Sequence, residues 1–288
     1  MDKICEFDKC TGCSACYNIC PVHAIEMMPS APLGDIHPQI NHDICIECHL
    51  CEKVCPVNNP VELRSPLRAI AMISKDKEDL MSSASGGAST VLAQKIIEQG
   101  GIVYGCVENS YKDITHRRIT TLPDLNKLKG SKYVQSDIND IYRQVRQDLR
   151  NGKSVLFTGT PCQNGGLKSF LRKDYPSLYL VDLCCHGVPS QEMLQKDCEY
   201  LLQHAVGKWE KDIKVTFRRK GPYVEDKDKP FSVAYGTFLI NEEGCRIKIR
   251  RNSDAFLRDN YITAFMNGLI FRDSCYTCTY AGARRCSV

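Results

Sequence analysis

Beyond residue 66 the chain alternates short apolar runs with longer amphipathic stretches. The run 67–74 (L-R-A-I-A-M-I-S) predicts a strand. Ser85-Gly86-Gly87 then opens a stretch with helical apolar spacing, A-S-T-V-L-A-Q-K-I-I-E-Q, which Gly100-Gly101 closes. Residues 101–107 and 114–120 read as strands, and 137–150 as a helix with Asp137 as its N-cap. A strand at 153–157 runs into G-T-P-C-Q-N-G-G, and a helix over 163–173 follows. Another strand, 178–183, ends in C-C-H-G-V-P-S before a helix over 190–204. Strands at 213–219, 232–240 and 245–250 come next, and a helix over 253–268 leads to C-Y-T-C. Strands alternating with helices make an α/β core, and the consecutive strands after residue 210 add an antiparallel portion.

The first 62 residues repeat with a period of 35, from Cys10 to Cys45, and Pro56, Pro60 and Pro66 mark a linker after them. The fold expected is α+β: a small module of two repeated halves over 1–62, then a core in two parts, 68–150 and 151–288. Ile25, Ile36, Ile40 and Ile44 are the apolar positions fit to wall the module's interior.

Composition narrows the setting. The chain has 288 residues, 43% hydrophobic and 25% charged, ordinary values for a soluble globular protein. Its net charge of +4 is spread along the sequence and points to no nucleic-acid partner. No apolar run is long enough to span a bilayer, and M-D-K-I-C is no signal peptide. Eighteen cysteines would suit disulfides in a secreted chain, but their spacing calls for free thiolates. A reducing cytoplasm is the expected location, and an anaerobic one, since metal centres held by exposed thiolates are labile to oxygen.

The spacing is C-x2-C-x2-C-x3-C-P, once at Cys10, Cys13, Cys16 and Cys20 and again at Cys45, Cys48, Cys51 and Cys55. Gaps of two residues let three thiolates converge on one cubane, while the x3 gap and proline turn the fourth cysteine toward the other cluster. The expected ligand sets are Cys10, Cys13, Cys16 and Cys55 for one [4Fe-4S] cluster, and Cys45, Cys48, Cys51 and Cys20 for a second. A pair of zinc knuckles is the alternative, and two matching runs that each end in C-P fit it poorly. Cys5 lies outside both complete sets and is not expected to be a ligand. His23, His37, His42 and His49 are expected at the surface or in local hydrogen bonds.

In the core, Ser85-Gly86-Gly87 and the turn from Thr160 through Gln163 to Gly166 each feed a helix N-terminus, where free N–H groups favour an anion. Neither is a Walker A loop or a G-x-G-x-x-G, and each taken alone is better read as a turn. Arg218, Arg219 and Lys220 could face an acidic substrate or a cofactor phosphate, or simply end a strand in solvent. Cys162, at a helix N-terminus, is expected to have a lowered pKa. Cys184 and Cys185 end a strand, and Cys275 and Cys278 form a C-x2-C fit for a metal centre. Cys106, Cys198 and Cys245 are read as small buried residues; Cys286 is left open.

Together, the ferredoxin-like front, S-G-G, G-T-P-C-Q, C-H-G-V-P-S, F-R-R-K and C-x2-C resemble the coenzyme F420 hydrogenase/dehydrogenase beta-subunit family from about residue 68 to the end. The resemblance implies an FAD-containing core and a third [4Fe-4S] cluster, for which Cys162, Cys185, Cys275 and Cys278 are the positions carried over. Ser85, Gly86, Gly87, Thr160 and Gln163 are the positions expected to hold the flavin. Members run on past the C-x2-C into an Asp- and Gly-containing stretch, whereas this sequence stops at Val288, so its core is read as truncated. The expected function is an iron-sulfur flavoprotein oxidoreductase, relaying electrons between a small-molecule hydride donor or acceptor and a redox protein partner or partner subunit. A cluster-only electron-transfer subunit is the main alternative. A zinc scaffold, and a nucleophile enzyme built on Cys162 and His186, are weaker ones. No catalytic residue is assigned.

Overall fold

The computed structural model describes residues 3–205, 213–221, 232–241, 243, 245–247 and 259–281. The N-terminal module holds helix α1 (Ala15–Ile19), a hairpin of β1 (Ile25–Ser30) and β2 (Asp35–Ile40), and helix α2 (Leu50–Lys53). The hairpin is antiparallel, with Ile25 opposite Ile40 and Ser30 opposite Asp35. The repeat seen in the sequence is also a repeat of backbone shape. Gly12 (φ 63°) and Ser14 (φ 63°) are matched by Glu47 (φ 51°) and His49 (φ 56°), all left-handed. These paired reversals curl each cysteine loop so that its N–H groups face inward, a concavity that favours negative charge.

The core begins with α3 (Lys77–Ser82) and α4 (Ala88–Glu98), followed by β3 (Ile102–Ser110), β4 (Asp113–Ile119) and α5 (Ile141–Arg150). Next come β5 (Val155–Gly159), α6 (Pro161–Leu171), β6 (Leu178–Asp182) and α7 (Gln191–Gln203). The described part ends with β7 (Lys214–Gly221), β8 (Ser232–Ile240), α8 (Asn260–Met266) and α9 (Asp273–Tyr276). The central sheet has the order β4-β3-β5-β6. β3, β5 and β6 run parallel and β4 is antiparallel at one edge. β7 and β8 form a separate antiparallel pair.

Strand alternation divides the sheet's side chains between two cores. Tyr104 and Phe157 face α5 and α6, while Val103 and Leu156 face Ala93 and Ile96 of α4. The first core also takes in Cys13, Ala15 and Val54 of the N-terminal module. Module and sheet are thus packed as one hydrophobic body, with α1 seated on α5 and α6. Polar contacts reinforce the seat: Arg143 Nε donates to the Asn18 carbonyl at 2.7 Å, and its Nη2 to the Tyr17 carbonyl at 2.8 Å.

The structure differs from the sequence reading in several places. Residues 67–74 form no strand; Leu67, Ile70 and Ile73 are exposed, and no strand of the central sheet pairs with the run. An apolar run can occupy a strand only where a sheet edge reaches it. Asp137 is not a helix cap: it pairs with Thr115 as an isolated bridge, and α5 starts at Ile141 behind Asp140. Of the strand expected at 245–250, an Ile240–Arg246 bridge is present, and 248–250 lie outside the described residues. The helix expected over 253–268 is observed as α8, and 251–258 lie outside the described residues, as does Cys286. Cys198 is buried as expected, Cys106 half-buried, and Cys245 exposed.

Candidate metal centres

Two cavities in the N-terminal module are ringed by cysteines. One, of about 330 Å³ including the space at its mouth, is lined by Cys10, Cys13, Cys16 and Cys55 together with Cys5. The other, of about 320 Å³, is lined by Cys45, Cys48, Cys51 and Cys20. Each therefore takes three cysteines from one half of the repeat and the fourth from the other half. The remaining walls are mainly apolar: Ile4, Met27, Pro38 and Val57 in the first, Val22, Ile25, Ile40 and Ile46 in the second. Among the described residues, no three His, Cys, Asp or Glu side chains are grouped to hold a single metal ion.

Backbone N–H groups point at the sulfurs. Ala24 donates to Cys20 Sγ at 3.2 Å. Gly12 donates to Cys10, Ala15 to Cys13, Tyr17 to Cys16, and Asn58 and Val57 to Cys55. Such donors stabilise thiolates and tune a cluster bound to them. Burial pushes the Cys13 thiol up to about 12, with the Ala15 N–H opposing. The Cys5 thiol reaches both Cys10 and Cys55 as a hydrogen-bond donor; these bonds raise its own pKa and lower those of Cys10 and Cys55. A cradle of four cysteines, inward N–H groups and apolar walls is what a [4Fe-4S] cluster requires, and both cavities offer it.

The two cavities differ in setting. Cys10, Cys13 and Cys16 are buried, Cys13 within the core shared with the sheet, whereas Cys48 is exposed, Cys45 half-buried and Cys51 alone of its three buried. Ile46, which lines the second cavity, is exposed as well, and Ile44, expected to wall the module's interior, is instead exposed beside Cys45.

Several of the core cysteines lie within electrostatic reach of one another. Cys162 follows Pro161 at the start of α6, behind a capping box of Thr160 and Gln163. It lies within electrostatic reach of Cys185 and Cys275, and also of Cys13. Cys275 in turn senses Cys185 and Cys278, and the Val188 N–H donates to its sulfur. The expected lowering of the Cys162 pKa is not observed: burial drives it up, outweighing the Thr160 hydroxyl at 3.1 Å. Cys184, next to Cys185, is exposed.

The residues expected to hold a flavin fall into two groups that the fold uses differently. Gln163 is buried; its Oε1 accepts from the Thr160 N–H at 3.0 Å, and its Nε2 donates to Ser136 O and Oγ at 3.2 and 3.1 Å. Ser136 and the Thr158 carbonyl then hold the buried ring of His116, each at 3.0 Å. Ser85-Gly86-Gly87 packs on residues 72–74, where Ser74 N donates to Gly86 O at 2.7 Å. A Cβ on Gly86 would lie 2.7 Å from the Met72 carbonyl oxygen, so glycine is required for this approach. Lys220 Nζ donates to the carbonyls of Ser85 and Leu80 at 2.5 and 2.6 Å, bringing two of the anion-binding candidates together. Arg218 instead bonds the Tyr235 hydroxyl at 2.9 Å, and Arg219's side chain lies outside the description.

Sequence reasoning missed Arg272. It is buried, with Nε donating to the Cys10 carbonyl at 2.6 Å and Nη2 to the Ile36 carbonyl at 2.8 Å. His37, expected at the surface or in local bonds, is buried beside it at 3.1 Å and stacked on Phe7. Only the position of Arg272 three residues before Cys275 could have drawn attention to it.

Comparison with known proteins fits this geometry. Residues 9–59 match the 4Fe-4S dicluster domain. The N-terminal module thus carries the sequence pattern of a dicluster iron-sulfur domain. Behind this dicluster domain, residues 152–287 match the C-terminal part of the coenzyme F420 hydrogenase/dehydrogenase beta subunit. The resemblance read from the motifs is thereby borne out for both parts. Among solved structures, a chain of the xenon-derivatised F420-reducing [NiFe] hydrogenase complex from Methanosarcina barkeri is 19% identical, with a TM-score of 0.42. The alignment covers 71% of this chain and 64% of that one, so the present chain spans less than two thirds of that relative. No curated protein matches. No helix among the described residues is long and apolar enough to cross a membrane.

Proposed function

We propose that this chain is the electron-transfer part of a cytoplasmic oxidoreductase. Cys10, Cys13, Cys16 and Cys55 would hold one cluster, Cys45, Cys48, Cys51 and Cys20 a second, and Cys162, Cys185, Cys275 and Cys278 a third. The observation that carries the reading is the crossed lining of the two cavities: Cys55 completes the first set and Cys20 the second. For the third set, the support is the mutual reach of Cys162, Cys185 and Cys275, with Cys278 beside Cys275.

Bound there, clusters would supply one-electron carriers, and FAD in the core would add exchange between a hydride and single electrons. The chain's own part is to hold three thiolate sets in sequence. Apolar walls line the first two on their inner sides. The proximity of Cys162 to Cys13 brings the core set and the buried set together, and the exposure of Cys48 turns the second set toward a protein partner. On this reading the partner is another redox subunit. Lys220 beside the Ser85 carbonyl supports an anion site at Ser85-Gly86-Gly87, where a flavin phosphate would sit.

A second reading, clusters without flavin, is favoured by one observation. The Thr160 and Gln163 groups that would face a flavin are engaged in a capping box and the Ser136–His116 network. Anaerobic reconstitution, with iron and acid-released flavin measured per chain, separates the readings. About 12 irons and one flavin support the full proposal, taking four irons per cluster. The same iron without rebindable flavin supports the second reading. A colourless zinc protein, unchanged by dithionite, would overturn both.

A further inference from the structure

Arg272 is the largest fully buried side chain among the described residues, at 1% exposure. Its guanidinium is held by the carbonyls of Cys10 and Ile36, by Gln135 Oε1 at 3.0 Å and by His37 Nε2 at 3.1 Å. All of these acceptors are neutral, so they fix the position of the charge without balancing it. Among the described residues, no carboxylate forms a salt bridge with Arg272. Asp35 senses it only at longer range. A buried cation without an anion is among the costliest arrangements in a protein interior, and it persists where a counter-charge is close.

The backbone is shaped to admit this cation. At Gly12 (φ +63°) a Cβ would lie 2.8 Å from Arg272 Nη1 and 2.6 Å from Gln135 Nε2, so a side chain there would close the approach. The other half of the repeat supplies a built-in comparison. Its equivalent of Gly12 is Glu47, in an exposed loop. The charge that meets the guanidinium must therefore belong to the Cys10 side of the module. Four thiolates around a [4Fe-4S]2+ core carry a net charge of −2, which one added electron makes −3.

We propose that Arg272 is the built-in counter-charge of the centre held by Cys10, Cys13, Cys16 and Cys55, and that it raises that centre's reduction potential. This rests on the ligand assignment above. The guanidinium favours the more negative, reduced state and so offsets the penalty that burial places on it. Arg272 N also bonds the Val188 carbonyl at 3.1 Å, and its carbonyl accepts from Cys275 N at 2.9 Å. The same residue thus fixes the cation between the buried set and the core cysteines. Arg272 is a positioning residue and takes no part in bond-making.

The test uses the full chain, reconstituted anaerobically and titrated with dithionite under EPR, as wild type, Arg272→Lys and Arg272→Gln. The expected result for Arg272→Gln is at least a tenfold weaker hold on the electron at one centre, a fall of about 59 mV for a one-electron couple. The centre of Cys45, Cys48, Cys51 and Cys20 should not move, and Arg272→Lys should lie nearer wild type. Wild-type potentials in both variants, or an equal shift at the centre of Cys45, Cys48, Cys51 and Cys20, overturn the proposal. Where Arg272→Gln loses one centre's iron, retention of that iron by Arg272→Lys supports the role of charge, and equal loss overturns it. Absence of [4Fe-4S] signals from the wild type would instead defeat the ligand assignment.

Discussion

Cys13 lies directly against Gly166: a Cβ built on that glycine would stand 2.9 Å from the cysteine sulfur. Gly166 sits one helical turn after Cys162 on α6, so a single turn of helix links a cysteine of the buried cavity to one of the core set. Gly166→Ala forces the two apart. Overpacking of this kind costs about 1–3 kcal/mol. The expected outcome is a lower denaturation midpoint together with partial loss of iron, both measured on the reconstituted chain.

The crossed lining of the cavities makes a pairing prediction. Cys20→Ser should remove the same centre as Cys48→Ser, although the two residues belong to different halves of the repeat. Cys55→Ser should in the same way match Cys13→Ser. The surviving EPR or Mössbauer spectra should fall into these two pairs; pairing by sequence half instead would refute the assignment.

Cys5 shares the first cavity with a complete set. Cys5→Ala should therefore keep the wild-type iron content, because a hydrogen-bond donor is lost and no ligand. Iron per chain measures this directly, and a loss of about four irons would make Cys5 a ligand in its own right.

His116 gives a pH dependence with a definite sign. Burial lowers its pKa from 6.5 to about 4, with the Thr158 carbonyl opposing. The neutral ring donates from Nε2 to that carbonyl and accepts at Nδ1 from Ser136. Between these values the unfolded chain binds the proton and the folded chain does not. The stabilisation is thus complete above pH 6.5 and is lost as pH falls toward 4, by about 3 kcal/mol in total. His116→Gln should remove that part of the slope, measured as the difference in unfolding free energy between variant and wild type across the window.

The sequence reading was strongest where chemistry dictates spacing. The eight cysteines of the N-terminal module, and their division into two sets, follow from how far a thiolate can reach, and the cavities have that lining. Strand and helix periodicity placed most elements of the central sheet. It failed at 67–74, where an apolar run meets no sheet edge, and at Asp137, where a strand bridge takes the residue expected to cap a helix. Gln163 shows a different limit. Its motif marked it as a cofactor residue, yet its amide closes a buried network with Ser136 and His116, partners far away in the chain. Arg272 was invisible for the same reason: its meaning comes from Cys10, Ile36 and Gln135, which only folding brings to it.

The shared core of Cys13, Ala15 and Val54 with the sheet has one more consequence. Many electron carriers work as swinging arms, with a cluster domain on a tether that travels between donor and acceptor. Here the carrier is bolted down, since any swing would expose that core and break the Arg143 and Arg272 contacts. Changing the length of the 60–66 linker should then leave the transfer rate unaltered. On the function proposed above, electrons pass to the partner subunit at the Cys48 face, with the carrier held in place.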